Sequence, residues 1–178
     1  MWMERVVVTS ANTSGAHSLI IGPDEGAVVP GADMVHKVGA TQLDGNLLIM
    51  EGVIRPGQLI APHTHTREDE CAYVLSGELT YLIGDLVRTV SAGTYVVKPR
   101  GIPHAFWNGG SEPARVMELH LPATFDRFYD EGARIFATYG ADPEGQRAFS
   151  ILSERYGVTQ HWERVAEISA RYGLGRRS

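Results

Sequence analysis

Three histidines and a glutamate form the pattern in this sequence that points most directly to chemistry. His63 and His65 are separated by one residue, Glu70 follows them closely, and His104 lies farther along the chain. Side chains two residues apart on a β-strand project from the same face, so the two imidazoles can bind one ion together. The polar stretch 66–69 can turn the chain and return the carboxylate to the same ion. The set predicts a site for one divalent transition metal ion, and Fe, Ni, Mn, Cu and Zn all suit it.

The other four histidines give weaker signals. His17 and His36 lie early in the chain and His161 opens a predicted helix, and each is expected to be a surface residue or a hydrogen-bonded core residue. His120 alternates with Glu118 along one face of a predicted strand. If that face points inward, both polar groups must be hydrogen-bonded or functional.

Short β-prone runs separated by Gly, Pro, Asn and Asp must carry these side chains. Because no helical pattern separates the runs as far as residue 121, they predict an antiparallel sandwich or barrel. The predicted strands span residues 5–9, 18–21, 34–38, 47–54, 59–61, 71–75, 79–83, 86–90, 94–97, 104–107 and 115–121. Gly84-Asp85 predicts a two-residue hairpin turn, since glycine can take the positive φ that such turns require.

After Leu121-Pro122 the hydrophobic pattern changes to that of amphipathic helices. The three predicted helices span residues 124–139, 143–156 and 161–172. Thr124 and Asp142 are the expected N-caps of the first two. Helices of this size most often pack on a neighbouring core. The chain is therefore expected to divide into a β-barrel with the metal site, residues 1–122, and a helical appendage packed on it, residues 123–178.

Composition excludes several classes of function. The 178 residues are 43% hydrophobic and 21% charged, which is typical of a globular protein with a real core. The net charge is −5 and basic residues are not massed on any segment except the short Arg176-Arg177 tail, so neither nucleic acid nor an anionic membrane is the expected partner. The apolar runs are far shorter than the roughly 18 residues of a membrane span.

The single cysteine excludes two further kinds of site. Cys71 cannot form an internal disulfide, and a thiolate metal site needs several cysteines. It is expected to be a packed thiol, because no basic residue is evidently placed to lower its pKa. With one thiol and no visible secretory signal, a cytoplasmic location is expected.

The spacing of the chemical residues resembles the two sequence motifs of the cupin superfamily. The first motif is a Gly, five residues, His-x-His, three or four residues, Glu, six residues and Gly. It is matched by Gly57, His63, His65, Glu70 and Gly77. The second motif is a Gly, five residues, Pro-x-Gly, two residues, His, three residues and Asn. It is matched by Gly93, Pro99, Gly101, His104 and Asn108.

The resemblance implies an all-β fold with C-terminal helices, namely a cupin double-stranded β-helix (a jelly-roll barrel) followed by about three α-helices. The metal ligands that it implies are His63, His65, Glu70 and His104. It also implies a homodimer, with Tyr73 and Trp107 on the outer face of the barrel and available to a dimer interface.

A substrate pocket is expected beside the metal. If His104 faces the cavity, the two-residue period of a strand makes Phe106 and Asn108 its inward neighbours. Met50 and His120 complete the predicted pocket, with further apolar residues from the C-terminal helices.

A finer resemblance concerns the reaction. The single barrel, the wording Glu70-x-x-Tyr73-Val74-Leu75-x-Gly77 and the Phe/Tyr-rich tail resemble bacterial quercetin-dioxygenase-like monocupins, whose family activity is ring-opening dioxygenation of flavonols with release of carbon monoxide. This resemblance implies a metal-dependent dioxygenase that acts with dioxygen on a small aromatic or enolisable substrate. Glu70 is its expected catalytic residue, able to leave the metal and serve as general base.

Two alternatives stay open at this point. The first is a non-redox isomerase, cyclase or lyase of natural-product or sugar metabolism, in which the metal polarises a carbonyl. The second is a cupin that binds a small molecule without catalysis.

Overall fold

Eleven β-strands form two antiparallel sheets in the computed structural model, which describes residues 19–140 and 142–175. The strands are β1 (Ala27–Val28), β2 (Met34–Val38), β3 (Leu48–Ile54), β4 (Leu59–His65), β5 (Asp69–Ser76), β6 (Glu78–Ile83), β7 (Leu86–Ser91), β8 (Tyr95–Lys98), β9 (His104–Trp107), β10 (Ala114–Leu121) and β11 (Val158–Gln160). One sheet has the order β1-β2-β3-β10-β5-β8 and the other the order β11-β4-β9-β6-β7. The expected all-β double-stranded β-helix is confirmed.

Three helices follow β10 among the described residues, as expected. They are α1 (Asp126–Tyr139), α2 (Pro143–Arg155) and α3 (Val165–Tyr172), and short 3-10 helices span Ala40–Leu43 and Trp162–Arg164. The predicted cap of α2 is confirmed, because the Asp142 carboxylate accepts hydrogen bonds from the backbone N–H groups of Glu144 and Gly145 at 2.9 and 3.0 Å. None of the helices in the described ranges is long and apolar enough to cross a bilayer.

The predicted cap of α1 is wrong. The N-cap position belongs to Phe125, which makes no side-chain capping bond, and the hydroxyl of Thr124 donates instead to the Glu68 carboxylate. Because Glu68 is far from Thr124 in the sequence, the residues around Thr124 could not indicate this hydrogen bond.

The predicted strands agree with the structure at most positions. The Gly84-Asp85 turn is confirmed: Gly84 has φ +57 and Ile83 pairs with Leu86. The predicted strand 5–9 lies outside the described residues. Residues 19–21 form no strand, so the strand expected at 18–21 is wrong for those three positions.

Strand β11 was not expected in the helical tail. Its three residues are too few to show a periodic pattern, yet they pair with β4, Val158 opposite His65 and Gln160 opposite His63. The tail therefore lies directly beside the strand that carries the motif histidines.

Apolar side chains join the tail to the barrel on two sides. A cluster around Leu48 and Phe128 links β3 to α1 and α2, and a second cluster places Ile168 of α3 against Trp107. The Trp107 ring lies 4.6 Å from the ring of Tyr172 and is 1% exposed. The expectation that Trp107 is available to a dimer interface is wrong, because α3 of the same chain covers it.

We predict that the barrel and the tail unfold together. Leu152 of α2 is 3% exposed and its neighbour Ile151 is 57% exposed. Replacing Leu152 with Ala should lower the free energy of unfolding by about 2–5 kcal/mol, because the change leaves a cavity in the shared core. Ile151→Ala, the matched control, should change it by less than about 0.5 kcal/mol. Urea unfolding followed by fluorescence measures both. Two separate transitions in the wild type would contradict the shared core.

Candidate metal centre

The four donor residues come from three strands in two sheets. His63 and His65 lie on β4, and His104 opens β9, where it is paired with His63. Glu70 reaches the same point from β5 of the other sheet. One ligand atom from each of the four lies within 4.8 Å of the others. Ligands on opposite sides of a transition metal ion are about 4.2 Å apart, so the spacing fits a single ion.

Backbone carbonyls set the tautomer of two of the imidazoles. His63 Nδ1 lies 2.7 Å from the carbonyl oxygen of Ala61, and His104 Nδ1 lies 3.1 Å from that of Ile102. Because a carbonyl oxygen only accepts hydrogen bonds, each Nδ1 must carry the proton and donate it. In a neutral ring this leaves the Nε2 lone pair bare, which is the form that binds a metal.

A carboxylate does the same for the third imidazole. His65 Nδ1 lies 3.1 Å from Oε2 of Glu68, and both side chains are almost fully buried. Burial opposes the charge on Glu68, but the hydrogen bonds from His65 and Thr124 outweigh it and hold the pKa of this carboxyl below its usual value. Glu68 lies in the stretch 66–69, for which the sequence alone predicts only a polar turn.

The inward-facing donor atoms lack hydrogen-bond partners among the described residues. These atoms are His65 Nε2, His104 Nε2 and Glu70 Oε2. The last two are 2.9 Å apart without the alignment of a hydrogen bond. Burial lowers the pKa of His63 well below its ordinary value, as do the neighbouring His104 and His65, so its ring stays neutral. Bare nitrogen lone pairs buried around a carboxylate are costly without a cation, so these residues fit a bound metal ion.

Glu70 is surrounded by positive or donating groups. Its Oε1 lies 2.8 Å from His120 Nδ1, and its Oε2 lies 2.9 Å from Lys98 Nζ. Burial opposes its charge, but Lys98 and His120 outweigh burial and hold the pKa of Glu70 well below its usual value. Glu70 is therefore held as an anion by nearby positive or donating groups, although neither of these two contacts has the geometry of a hydrogen bond.

Lys98 and Glu118 form a buried ion pair behind Glu70. The expectation that an inward Glu118 must be hydrogen-bonded or functional is confirmed, whereas its partner Lys98 was not expected. Lys98 Nζ lies 2.6 Å from Glu118 Oε2, and the two residues are 2% and 3% exposed. Burial opposes the charge of Lys98, but Glu118 and Glu70 raise its pKa above the ordinary value. The signal was present in the sequence: Lys98 is two residues from Val96 on β8 and so shares its inward face.

The remaining described histidines lie around this centre. His120 points inward together with Glu118, and its Nε2 lies 3.3 Å from the hydroxyl of Tyr129. His36 is half-buried, with its ring 6.0 Å from the Tyr129 ring, and His161 Nε2 lies 2.8 Å from the Thr64 hydroxyl. His17 lies outside the described residues.

A cavity of about 690 Å³ lies between the barrel and the helices, and His63 is part of its wall. Its aromatic lining residues are Phe125, Phe128, Tyr129, Phe136, Phe149 and Trp162. Asp33 is the charged side chain among its lining residues, and its carboxylate is bound by the Arg55 guanidinium at 2.6 and 2.9 Å. The wall is therefore mainly apolar, with one metal-site imidazole exposed in it.

The four predicted pocket residues do not line this cavity. Phe106 is stacked on Tyr81 in the core between the sheets, and Met50 is fully buried under α1. Asn108 donates to the carbonyl oxygens of Ile54 and Glu112, which makes it a structural residue. His120 is held at Glu70, behind Tyr129. The two-residue period correctly identified side chains that point inward. At these positions, however, an inward side chain lies in the packed core, because the open cavity lies between the helices and β4.

Comparison with known proteins agrees with this geometry. The family model described as "Cupin domain" matches residues 50–120. These residues hold the four donors together with Lys98 and Glu118. Residues 50–120 therefore match a cupin domain in sequence as well as in fold.

Two curated proteins that are similar to this chain in sequence are germin-like proteins. Germin-like protein subfamily 2 member 2 of Arabidopsis thaliana is 34% identical over 133 residues, 70% of this chain and 58% of that protein. Germin-like protein 5-1 of Oryza sativa subsp. japonica is 35% identical over 56% of this chain and 48% of that protein. The chain thus spans about half the length of these curated relatives.

A solved structure supports the fold of the cupin domain. An uncharacterized conserved protein with a double-stranded beta-helix domain from Klebsiella pneumoniae superposes with a TM-score of 0.50 and 26% identity, over 60% of this chain and 91% of that one. None of these three names specifies a quercetin dioxygenase.

We predict that the untagged protein binds about one divalent transition metal ion per chain. His104→Ala should weaken the binding by more than about 100-fold, because losing a ligand costs more than losing an outer hydrogen-bond partner. His161→Gln, which removes an imidazole outside the donor set, should leave it unchanged. Chelator competition and elemental analysis measure both. Failure of Fe, Ni, Mn, Cu and Zn alike to bind the wild type would contradict the site.

Proposed function

We propose that this cupin is a metal-dependent dioxygenase that acts on a small aromatic or enolisable, flavonol-like compound. The observation that carries the proposal is the meeting of two features at His63: an inward set of bare donor atoms and a mainly apolar cavity. The type of reaction is inferred from the first motif, whose residues resemble those of quercetin-dioxygenase-like monocupins.

The cavity favours an aromatic substrate over a sugar. Its volume lies within the roughly 300–1,000 Å³ of small-molecule sites, and its walls are rich in aromatic rings. A sugar needs many free hydrogen-bond partners. The Asp33 carboxylate in the wall is already bound by Arg55, and two of the three lining glutamines are also engaged, Gln58 with the Arg55 backbone N–H and Gln160 with Ser153. A flat ring system with one oxyanion end directed at His63 suits both the walls and the donor set.

The charge at the ion itself favours that oxyanion. A bound divalent ion with three neutral imidazoles and one carboxylate would carry a charge of about +1 together with its ligands, would stabilise the enolate or phenolate form of a substrate and, if redox-active, would support electron transfer involving dioxygen. The Glu118 carboxylate is balanced by Lys98, and the Glu68 carboxylate on the far side of His65 brings the charge of the wider site to about zero.

A chain of side chains connects Glu70 to the cavity. Glu70 Oε1 lies 2.8 Å from His120 Nδ1, and His120 Nε2 lies 3.3 Å from the hydroxyl of Tyr129, which lines the cavity. His120 Nδ1 makes no hydrogen bond among the described residues, so these contacts are not a continuous hydrogen-bonded path. We propose Glu70 as the catalytic base, with His120 and Tyr129 lying between it and a substrate in the cavity.

The cytoplasmic location and the homodimer also belong to this proposal. Cys71 is half-buried and burial raises the pKa of its thiol, which suits a packed thiol in a reducing compartment. The outer face of β5 and β8 places Tyr73 4.5 Å from Tyr95, which is 69% exposed, and this face is where we propose that a second copy pairs.

We predict oxygen consumption with flavonols such as quercetin, or with small diketones, by the metal-loaded protein. His104→Ala should abolish it, because the donor set is broken. An oxygen electrode, with product analysis for carbon monoxide, measures the reaction. Turnover under strictly anaerobic conditions would favour an isomerase, cyclase or lyase, and ligand-induced thermal shifts without any product would favour a binding protein. Equal rates in the wild type and in the variant would exclude this site.

We predict that filling the cavity raises KM for the bulky substrate. Ala133 of α1 lines the cavity, and Ala148 of α2 does not. Ala133→Phe should raise KM for a flavonol by about tenfold or more, because a loss of pocket space of this size costs at least about 1 kcal/mol of binding. Metal affinity should stay the same. Ala148→Phe, at an equally half-buried helical position, is the matched control. An unchanged KM in Ala133→Phe would place the substrate elsewhere.

A further inference from the structure

A carboxylate outside the donor set joins the metal centre to the first helix. Glu68 is fully buried, with 0% exposure. Its Oε2 accepts the hydrogen bond from His65 Nδ1 at 3.1 Å, and its Oε1 accepts one from the Thr124 hydroxyl. Thr124 stands directly before the N-cap of α1, so one side chain touches a metal-site imidazole at one oxygen and the helical cover at the other.

A carboxylate as deeply buried as that of Glu68 needs a hydrogen-bond partner for each of its oxygens. A buried carboxylate costs several kcal/mol unless it is hydrogen-bonded, and both oxygens of Glu68 are. The position is not fixed by the motif, which specifies only the number of residues between His65 and Glu70. The chain therefore places a second acid where the motif needs only spacing.

Aromatic contacts strengthen the same junction. The Phe125 ring lies 4.8 Å from the His65 ring in an edge-on arrangement and is stacked 5.4 Å from the His120 ring. The Tyr129 hydroxyl reaches His120, which in turn contacts Glu70. The start of α1 thus packs on two imidazoles of the centre, and moving the helix would move the groups that hold them.

We propose that Glu68 is a positioning residue that presents His65 to the metal and, through Thr124, couples metal binding to the docking of α1. Because the coupling is reciprocal, metal binding strengthens docking of the helix and docking of the helix strengthens metal binding. Because α1 also forms one wall of the cavity, the coupling connects metal binding to the position of that wall. This inference rests on the proposed metal function.

Metal affinity and the spectrum of bound Co(II) test the positioning role. Glu68→Ala should weaken Co(II) and Zn(II) binding by about 10–100-fold, as expected for loss of an outer partner of a ligand histidine. It should also alter the visible absorption of bound Co(II). Glu68→Gln keeps an oxygen that can accept from His65 Nδ1, so it should restore most of the affinity and the spectrum.

A neighbouring acid provides the control. Asp69→Asn removes an exposed ion pair with Arg100 from the same turn and should leave both readouts unchanged. Circular dichroism with EDTA present establishes that each variant is folded before metal is added.

Hydrogen exchange tests the coupling. In the wild type, addition of Zn(II) should slow amide exchange in residues 126–139 by at least several-fold. Thr124→Val leaves His65 and Glu68 in contact but removes the link to α1, so metal affinity should fall by no more than the factor of slowing that is lost, as reciprocal coupling requires. The metal-dependent slowing in α1 should disappear.

The outcomes separate this inference from the proposed function. Absence of metal binding in the wild type would overturn both. Normal binding in the wild type with unchanged affinity and spectrum in Glu68→Ala would overturn the positioning role alone. Metal-dependent slowing that persists in Thr124→Val would overturn the coupling through Thr124.

Discussion

The fixed orientation of three imidazoles is the constraint on which the rest of this centre depends. Each ring donates from Nδ1 to an acceptor supplied by its own neighbourhood in sequence, two residues back for His63 and His104 and three residues ahead for His65. The acceptors lock the tautomer, so that bare Nε2 atoms face one point. His65 Nε2 and His104 Nε2 are buried without a hydrogen-bond partner among the described residues, which is unfavourable, so the local geometry favours a cation at this point.

Charged side chains of both signs surround the point that the imidazoles face. Glu70 is negative, Lys98 and Glu118 behind it cancel each other, and Glu68 adds a negative charge on the far side of His65. The interior of the barrel accepts this density of charge because each of these charged side chains lies close to a group of opposite sign or to a hydrogen-bond donor. Removing one member of such a pair is strongly destabilising, because it leaves the other charge buried and unpaired.

Local spacing predicted the barrel and the four donors, and failed where a contact joins distant parts of the chain. A two-residue period places His63 and His65 on one face, and the resemblance of the spacing to the two cupin motifs adds Glu70 and His104. Glu68 and Thr124 meet only because the tail folds back, and no pattern within either segment indicates it. The four predicted pocket residues do not line the cavity for a related reason: Phe106 points inward as expected, yet the helices decide which inward positions stay open.

Strand β11 gives the tail a second role, in solubility. It occupies the side of β4 opposite β9, and so closes the edge of the strand that carries His63 and His65. A barrel cut before this strand would expose the backbone N–H and C=O groups of β4 as a template for another chain. The helical appendage is therefore not a removable addition. A recombinant or evolutionary transfer of this barrel to another protein must carry along a substitute for those three residues.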